Sequence, residues 1–132
     1  MSEEIRSLDA TAQAELVARG EVTARELVDI AVARANEVNP EINAIIHPDY
    51  EAAAELSETD LPQGPFTGVP FVYKDLGAGL GGQPFHMGNR LLKEIGFTVP
   101  FDTYLGARFK STGVVPIGRA NTPEFGILPT TE

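Results

Sequence analysis

Residues 69–76 of this 132-residue chain read VPFVYKDL, an apolar run that ends in a lysine, an aspartate and a leucine. Such a run is typical of a buried strand, and the charged pair marks the place where the strand ends. A second apolar run, Val114–Ile117, follows a helix predicted over Thr103–Ser111, with Asp102 as its N-cap and Gly113 as its left-handed stop. The order strand, helix, strand predicts that both strands lie in one mixed or parallel sheet of an α/β fold.

The first 60 residues are predicted to be helical, so that N-terminal helices precede the strands of the mixed sheet. Their boundaries follow from caps and stops, because a side-chain oxygen begins a helix and glycine or proline ends it. The expected elements, in order, are a helix from Asp9 to Gly20, a helix from the Thr23–Glu26 capping box to Asn39-Pro40, an extended piece over Ile42–Ile46 and a helix over Asp49–Glu58.

Composition and charge exclude several kinds of site. The sequence has no cysteine, which rules out disulfides, cysteine-ligated zinc and a cysteine nucleophile, and its two histidines, His47 and His86, are too few for a multi-histidine metal site. The net charge is −9, and the first 66 residues carry 14 acidic against 4 basic side chains, which argues against nucleic-acid binding. No apolar run is long enough to cross a membrane and the N-terminus is acidic and polar, so we expect a cytoplasmic protein.

The glycine-rich segment Gly77–Gly82 follows the first strand and matches the pattern G-x-G-x-x-G, which is typical of dinucleotide-binding proteins. That function requires a helix to open within the motif, so that its N-terminal amides hold the pyrophosphate. Here the motif runs into Gln83-Pro84-Phe85, a poor helix sequence. We therefore expect a loop beside a functional strand end. The alternative function is a nucleotide-binding oxidoreductase, and a change in melting temperature on addition of a nucleotide would indicate it.

Lys74 is the residue that the sequence most clearly suggests as a catalytic group. It lies at the end of an apolar strand, and the strand ends of α/β sheets are where sites are built. A lysine there is partly withdrawn from water, which favours the neutral amine, and a neutral amine can act as a base. The alternative is that Lys74 pairs with Asp75 or points to water, and composition alone favours that alternative.

The segment Asn121–Gly126 follows the second strand and the turn Gly118–Ala120. Thr122 resembles an N-cap, with Pro123 at the first helical position. The alternative is a structural turn with Phe125 packed inside, and this segment by itself does not displace that alternative.

Four segments in the same order resemble the amidase-signature family. Residues 68–75 are similar to its catalytic-lysine pattern, G-[IV]-P-…-K-D, and Asp102 followed by Gly113–Phe125 is similar to its pattern of an acid, a helix and G-x-x-x-x-G-K-T-N-x-x-E-F. Ala14–Leu27 and Asn39–Ala44 are similar to A-x-x-x-x-x-G-x-x-[ST]-x-x-[ED]-L and N-P-x-[IL]-N-A. Agreement of four segments is far more specific than any one of them, and it covers nearly the whole chain.

The resemblance implies a Ser-cisSer-Lys hydrolase of amide bonds that uses neither a metal nor a cofactor. In that family a neutral lysine, here Lys74, takes a proton from a serine held by a cis peptide, and this serine activates a second, nucleophilic serine. The nucleophile attacks the amide carbonyl, backbone N–H groups hold the oxyanion, and water clears the acyl-enzyme. Lys74 is the only member of the triad within these residues, because the glycine- and serine-rich segment of the family would follow Glu132.

The resemblance also implies the organisation of the protein. Residues 1–132 are expected to be the N-terminal portion of a single amidase domain, with a helical segment over 1–60, the lysine strand and a βαβ-like segment over 61–132, and the remainder of the domain absent. The segment His86–Asn89 departs from a stretch that is often rich in threonine and serine in the family, and Arg119 stands where lysine is commoner. The residues expected to lie near the substrate are Gly126, Ile127, Leu128, Thr130 and Thr131.

Three partners and two other functions follow as expectations. The partners are a small-molecule amide, such as a linear or cyclic oligoamide, the missing C-terminal part of the same protein, and a second copy in a homodimer. One alternative function is the amidase subunit of a tRNA-dependent amidotransferase, which works with protein partners. The other is a non-catalytic fragment or interaction module, which a reading frame carrying the missing serines would rule out.

Overall fold

The structure is a computed structural model that describes residues 2–131. Its elements, in chain order, are α1 (Ser2–Arg6), α2 (Ala10–Ala18), α3 (Ala24–Ile42), β1 (Ile45–Pro48), α4 (Tyr50–Ser57), β2 (Pro70–Lys74), α5 (Arg90–Glu94), α6 (Tyr104–Lys110), β3 (Val115–Ala120) and a 3₁₀ turn (Glu124–Gly126). Within residues 2–131, every helix is too short or too polar to span a membrane.

The three strands form one mixed sheet in the order β1-β3-β2. The central strand β3 runs antiparallel to β1 and parallel to β2, which confirms the mixed sheet that the sequence predicts. Strand β3 continues past its predicted end at Ile117 as far as Ala120, because its last residues pair with both neighbouring strands. In the parallel pair Tyr73 lies opposite Arg119 and Lys74 opposite Ala120.

Helix α3 runs through Asn39 and Pro40, so the prediction that these residues end it is wrong. Pro40 lies in the last turn, where its missing N–H removes a single helical hydrogen bond. The helix closes instead at Asn43, which is left-handed with φ 46° and donates its N–H to the Asn39 carbonyl over 2.8 Å. The Asn39 side chain binds the backbone N–H and carbonyl of Ile45 at 2.7 and 2.9 Å, so β1 begins there and not at the predicted Ile42.

The sheet is buried on both faces. One cluster joins α3 and α4 to β3 through Val28, Ala53, Val115 and Ile117, each under 5% exposed. A second cluster, formed by Tyr73, Ala78 and Leu80 with Phe71 and Phe109 packed against it, covers the opposite side at α6. The continuous apolar runs of β2 and β3 therefore pack against two layers, as expected of strands covered on both sides.

Helix α6 begins one residue later than predicted. Its N-cap is Thr103, whose Oγ1 accepts the Gly106 N–H at 3.2 Å, so the prediction of Asp102 as N-cap is wrong. Asp102 accepts the N–H of Gly81 at 2.7 Å and pairs with Lys110 at 2.7 Å. These partners hold the pKa of the Asp102 carboxyl below its usual value, with the Lys110 hydrogen bond as the largest cause.

The capping box at the start of α3 offers a direct test of the helical half. Thr23 Oγ1 accepts the Glu26 N–H at 3.1 Å, and the Glu26 carboxylate accepts the Thr23 N–H at 2.8 Å. We expect Thr23→Ala to lower the free energy of unfolding by about 1 kcal/mol in urea denaturation, because the Glu26 N–H loses its acceptor and the Glu26 carboxylate loses the hydroxyl that donates to it. The control is Thr11→Ala at an exposed position inside α2, where a change within about 0.5 kcal/mol is expected. Equal losses in both variants would contradict the capping role.

Candidate active site

Lys74 is the last residue of β2, and its neighbour on the parallel strand is Ala120, the last residue of β3. The two strands therefore end side by side at one edge of the sheet. The loop that follows β2 and the segment that follows β3 both leave from this edge. In parallel sheets the carboxyl ends of the strands are where ligands are bound, so this edge is the candidate site.

The two segments that leave the strand ends contact each other next to Lys74. The Phe125 N–H donates to the Met87 carbonyl over 2.8 Å. Gly126 lies against Leu76, since a Cβ added at Gly126 would come within 2.7 Å of Leu76 Cδ2. The structure thus brings Gly126, which the sequence predicts to be near the substrate, beside the segment that begins two residues after Lys74.

Two non-glycine residues at this contact have left-handed backbones. Met87 has φ 52° and Phe125 has φ 50°, and each precedes a glycine that is also left-handed. Such conformations are uncommon for side chains without a polar group to compensate and cluster at functional sites. Gly88 is required here, because an added Cβ would meet the Thr122 carbonyl oxygen at 2.6 Å.

The outer part of the loop is open to solvent. Ile127 is 76% exposed and Leu128 62%, and Thr130 and Thr131 are exposed as well. Phe125 is 48% exposed, so the alternative in which this residue packs inside is wrong. Contact of these side chains with a substrate stays a prediction.

The turn after β3 also begins differently from the prediction. It is a short 3₁₀ turn whose N-cap is Pro123, so Thr122 does not cap a helix there. Thr122 is buried instead, and its hydroxyl donates to the Pro123 carbonyl over 3.3 Å.

The Lys74 side chain is exposed in the part of the chain that the structure describes. These residues therefore do not supply the desolvation that the sequence predicts, because β2 lies at one edge of the described sheet. The Asp75 side chain, in contrast to that of Lys74, is fully buried, and its carboxylate accepts the His86 N–H at 3.0 and 3.2 Å. The aspartate therefore anchors the following loop to the strand end.

A buried arginine lies directly beneath the strand end. Arg119 is 2% exposed, and its Nη1 donates to the carbonyls of Lys74 and Ala78 over 3.1 and 2.9 Å. The guanidinium carbon lies 5.8 Å from the ring centroid of Tyr73 and 5.3 Å from that of Phe85, within cation–π range. From the sequence, Arg119 is notable only because lysine is commoner at this position in the family. A charged residue shortly after the apolar run Val114–Ile117 could have indicated a buried contact.

Burial shifts the titration of the groups in this layer. It raises the pKa of the Tyr73 hydroxyl to about 12 and lowers the pKa of the Arg119 guanidinium, an effect that the Asp75 carboxylate opposes. Burial also lowers the pKa of His47, whose ring lies edge-on to that of His86 with centroids 4.7 Å apart. Tyr73 is consequently neutral at pH 7, and burial favours the neutral form of the His47 imidazole.

The glycine-rich loop packs against protein and does not open a helix. The Gly79 carbonyl accepts the Thr103 N–H at 3.0 Å, and Gly81 donates its N–H to Asp102. The glycines of Gly77–Gly82 let this backbone approach the segment around Asp102 and Thr103 closely. The glycine-rich segment is a loop, as predicted, and no helix begins within it, although nucleotide binding would require one. Among residues 2–131, three or more histidine and carboxylate side chains nowhere come close enough to share a metal ion.

Comparison with known proteins gives sequence relatives over nearly the whole chain. A family model described as Amidase matches residues 26–132. The chain is 44% identical over 124 residues to the 6-aminohexanoate-cyclic-dimer hydrolase of Pseudomonas sp. (strain NK87), a match that covers 94% of the chain and 25% of that protein. It is 32% identical over 136 residues to a subunit of the glutamyl-tRNA(Gln) amidotransferase of Salinispora arenicola (strain CNS-205), with coverage of 98% and 27%.

A solved structure confirms the fold. The structure of 6-aminohexanoate cyclic dimer hydrolase complexed with substrate matches with a TM-score of 0.86 and 44% identity, over 95% of this chain and 26% of that one. The predicted α/β fold, with N-terminal helices and a mixed sheet that form part of a larger unit, is therefore confirmed. The chain spans about a quarter of the length of the relatives it matches.

Proposed function

The chain belongs to the amidase family, as its four segments predict, and from that premise we propose that the protein containing it hydrolyses an amide bond through an acyl-enzyme. The observation that carries the proposal is the position of Lys74, which ends β2 beside the end of β3 within the family's catalytic-lysine pattern. Because the chain spans about a quarter of its relatives, the activity is proposed for the full-length protein, and these residues are proposed to form the N-terminal portion of a single domain in it.

In the proposed mechanism Lys74 is the base of a Ser-cisSer-Lys triad. Its neutral amine accepts a proton from the first serine, and that serine takes the proton of the second, whose oxygen attacks the amide carbonyl carbon. The C–N bond then breaks, the amine leaves with a proton returned along the same relay, and water hydrolyses the ester that remains. Both serines come from the part of the protein outside these residues, and the chemistry uses no metal or cofactor.

The packing around the backbone of Lys74 supports this role. The neighbouring side chains of Tyr73 and Asp75 are buried, at 1% and 0% exposure, so the backbone that carries Lys74 is packed against protein. The Lys74 side chain itself is exposed here, so the rest of the domain is proposed to cover it and withdraw it from water.

We propose an oligoamide, linear or cyclic, as the substrate class. Support comes from the 44% identity to a hydrolase named for the cyclic dimer of 6-aminohexanoate. The chemistry of the loop agrees, since the exposed apolar side chains of Ile127 and Leu128 suit methylene segments and the hydroxyls of Thr130 and Thr131 suit amide groups.

The test is hydrolysis by the purified full-length protein. It should release new primary amines from the cyclic and linear dimers of 6-aminohexanoate, and mass spectrometry after an acid quench should find the acyl group on the protein. Release of amine from a simple amide but from neither dimer would keep the amidase and reject the oligoamide. Absence of amine release from all three substrates would overturn the proposed function.

A second candidate is the amidase subunit of an amidotransferase, and the specific observation in its favour is the 32% identity to a protein of that kind. It predicts that the protein co-purifies with other subunits when isolated from its native cells. Co-purification would favour the amidotransferase, and isolation as a single species, monomer or homodimer, would favour the hydrolase. A cytoplasmic location likewise stays a prediction, which cell fractionation would test.

The loop after β3 gives a kinetic prediction. The double variant Thr130→Ala and Thr131→Ala should raise KM roughly 2- to 10-fold, the effect of losing about one hydrogen bond to the substrate, and leave the melting temperature unchanged. Thr59→Ala is the control, because its exposed hydroxyl bonds only to the Leu56 carbonyl at the far end of α4. A lower melting temperature with unaltered kinetics would mean that the two threonines are polar surface only.

A further inference from the structure

The buried guanidinium of Arg119 lies between the catalytic strand and the loop that follows it. We propose that Arg119 is a positioning residue for Lys74, one that holds the strand-end carbonyl and so directs the lysine side chain into the site. The inference rests on the proposed function, because it assigns Arg119 a part in the same site.

A single nitrogen of Arg119 makes both contacts. Nη1 donates to the Lys74 carbonyl at 3.1 Å and to the Ala78 carbonyl at 2.9 Å, four residues further along the chain. It therefore joins the end of β2 to the loop where that loop turns back. Charge-assisted hydrogen bonds in a buried setting are stronger and more directional than neutral bonds, which suits a fixed support.

The peptide between Lys74 and Asp75 is held on both sides. Its carbonyl oxygen accepts from Arg119, and its N–H donates to the Ala120 carbonyl at 3.0 Å. The Asp75 carboxylate adds a third anchor by accepting the His86 N–H. Since the peptide is planar, fixing its oxygen and its N–H fixes the backbone angle ψ of Lys74 and the direction in which the Lys74 side chain leaves.

The cost of burying Arg119 argues for a specific task. A guanidinium buried almost completely is expensive unless its donors are satisfied, yet its Nε and Nη2 have no hydrogen-bond partner among residues 2–131. A pure packing role between Tyr73 and Phe85 could be filled by an apolar side chain, which often stabilises a protein relative to a buried charge. The donors on Nη1 are what an apolar residue cannot replace.

The geometry predicts which substitution is tolerated. Because one nitrogen makes both bonds, the ammonium of a lysine can make them too, whereas methionine keeps the length and loses both donors. In the full-length enzyme, Arg119→Met should lower kcat at least about 10-fold with KM changed less than about 2-fold, since the base and not the substrate site is disturbed. Arg119→Lys should keep kcat within about 3-fold of the parent. Arg108→Met, at an exposed position of α6, is the control and should change neither constant.

Hydrogen exchange provides a readout that does not depend on activity. Amides in residues 75–82 should exchange faster in Arg119→Met than in the parent, recover in Arg119→Lys, and stay unchanged in Arg108→Met. If the protein hydrolyses no amide, the proposed function fails while this measurement still tests whether Arg119 holds the loop.

Three outcomes would overturn the inference. One is Arg119→Met with parental kcat. Another is unchanged exchange over residues 75–82. The third is Arg119→Lys with kcat lowered more than about 10-fold, and this variant decides the matter if Arg119→Met does not fold.

Discussion

Replacing Lys74 with alanine is expected to lower kcat for amide hydrolysis at least about 100-fold in the full-length protein, the usual loss when a general base is removed. The melting temperature should change little. The contacts that the structure gives Lys74 are made by its backbone, through the strand pairing and the Arg119 bond, and alanine retains them. The side chain itself is exposed in this part of the fold, so its removal leaves no cavity there.

Arginine at the same position should be no better than alanine. A guanidinium keeps its proton at any pH that the protein survives and cannot accept another, although it preserves the positive charge and the length. Lys93→Ala, at an exposed position of α5, is the matched control and should retain full turnover. Near-normal turnover in either Lys74 variant would remove this residue from the mechanism.

The end of β2 could be predicted from the sequence because its signal is local, whereas the end of β3 lies three residues beyond the predicted Ile117. An apolar run that stops at Lys74 and Asp75 marks both the strand and its end, and an intervening helix makes the two strands parallel. The capping box at Thr23 and Glu26 is equally local, since its partners lie three residues apart. Such features depend little on the rest of the fold.

The wrong predictions involve side chains whose partners lie far away or compete. Asp102 could cap the next helix, but it binds Gly81, 21 residues earlier in the chain, and leaves the cap to Thr103. Asn39 and Pro40 could end α3, but Asn39 is used to bind the first residue of β1. Sequence patterns do not show which residue caps α6 or ends α3, because a partner elsewhere in the fold determines how the Asp102 and Asn39 side chains are used.

The candidate site likewise has features that the sequence predicts and features that it does not. The position of Lys74 and the approach of Gly126 follow from two parallel strands that end together. The buried layer of Asp75 and Arg119 does not, because burial of a charge depends on which carbonyls and rings surround it in three dimensions. The left-handed backbone of Phe125 likewise results from the contact between two loops that are remote in sequence.

The last expectation concerns residues 1–132 expressed by themselves, which should have no amidase activity because no serine is available as nucleophile at the Lys74 end of the sheet. Ser57 lies at the end of α4, within the helix predicted over Asp49–Glu58, where it is buried and donates to the Ala54 carbonyl. Ser111 follows α6 at the opposite end of the sheet, and Ser7 follows α1, where its hydroxyl donates to the Glu4 carbonyl. The side chain of Ser2 lies outside the described part.

The same chain should bind a hydrophobic dye. Phe101 is 69% exposed, Tyr104 83% and Ile127 76%, and all three belong to the half of the chain that carries the lysine strand. Large apolar side chains that are exposed to water, and an unpaired strand edge such as that of β2, favour association or dye binding until another surface covers them. Dye fluorescence should therefore be high with the chain alone and fall when the remaining polypeptide is added.

A triple variant, Phe101→Ser, Tyr104→Ser and Ile127→Ser, should reduce the dye signal of the isolated chain, whereas Leu8→Ser and Leu56→Ser, at less exposed positions in the helical half, should leave most of it. Adding the remaining polypeptide should produce amide hydrolysis and abolish dye binding at the same time. Both changes are expected because that polypeptide carries the catalytic serines and the surface that covers the apolar side chains. A monomeric chain that melts cooperatively, binds no dye and is unaffected by that polypeptide would show that residues 1–132 form a complete domain, contrary to the organisation proposed here.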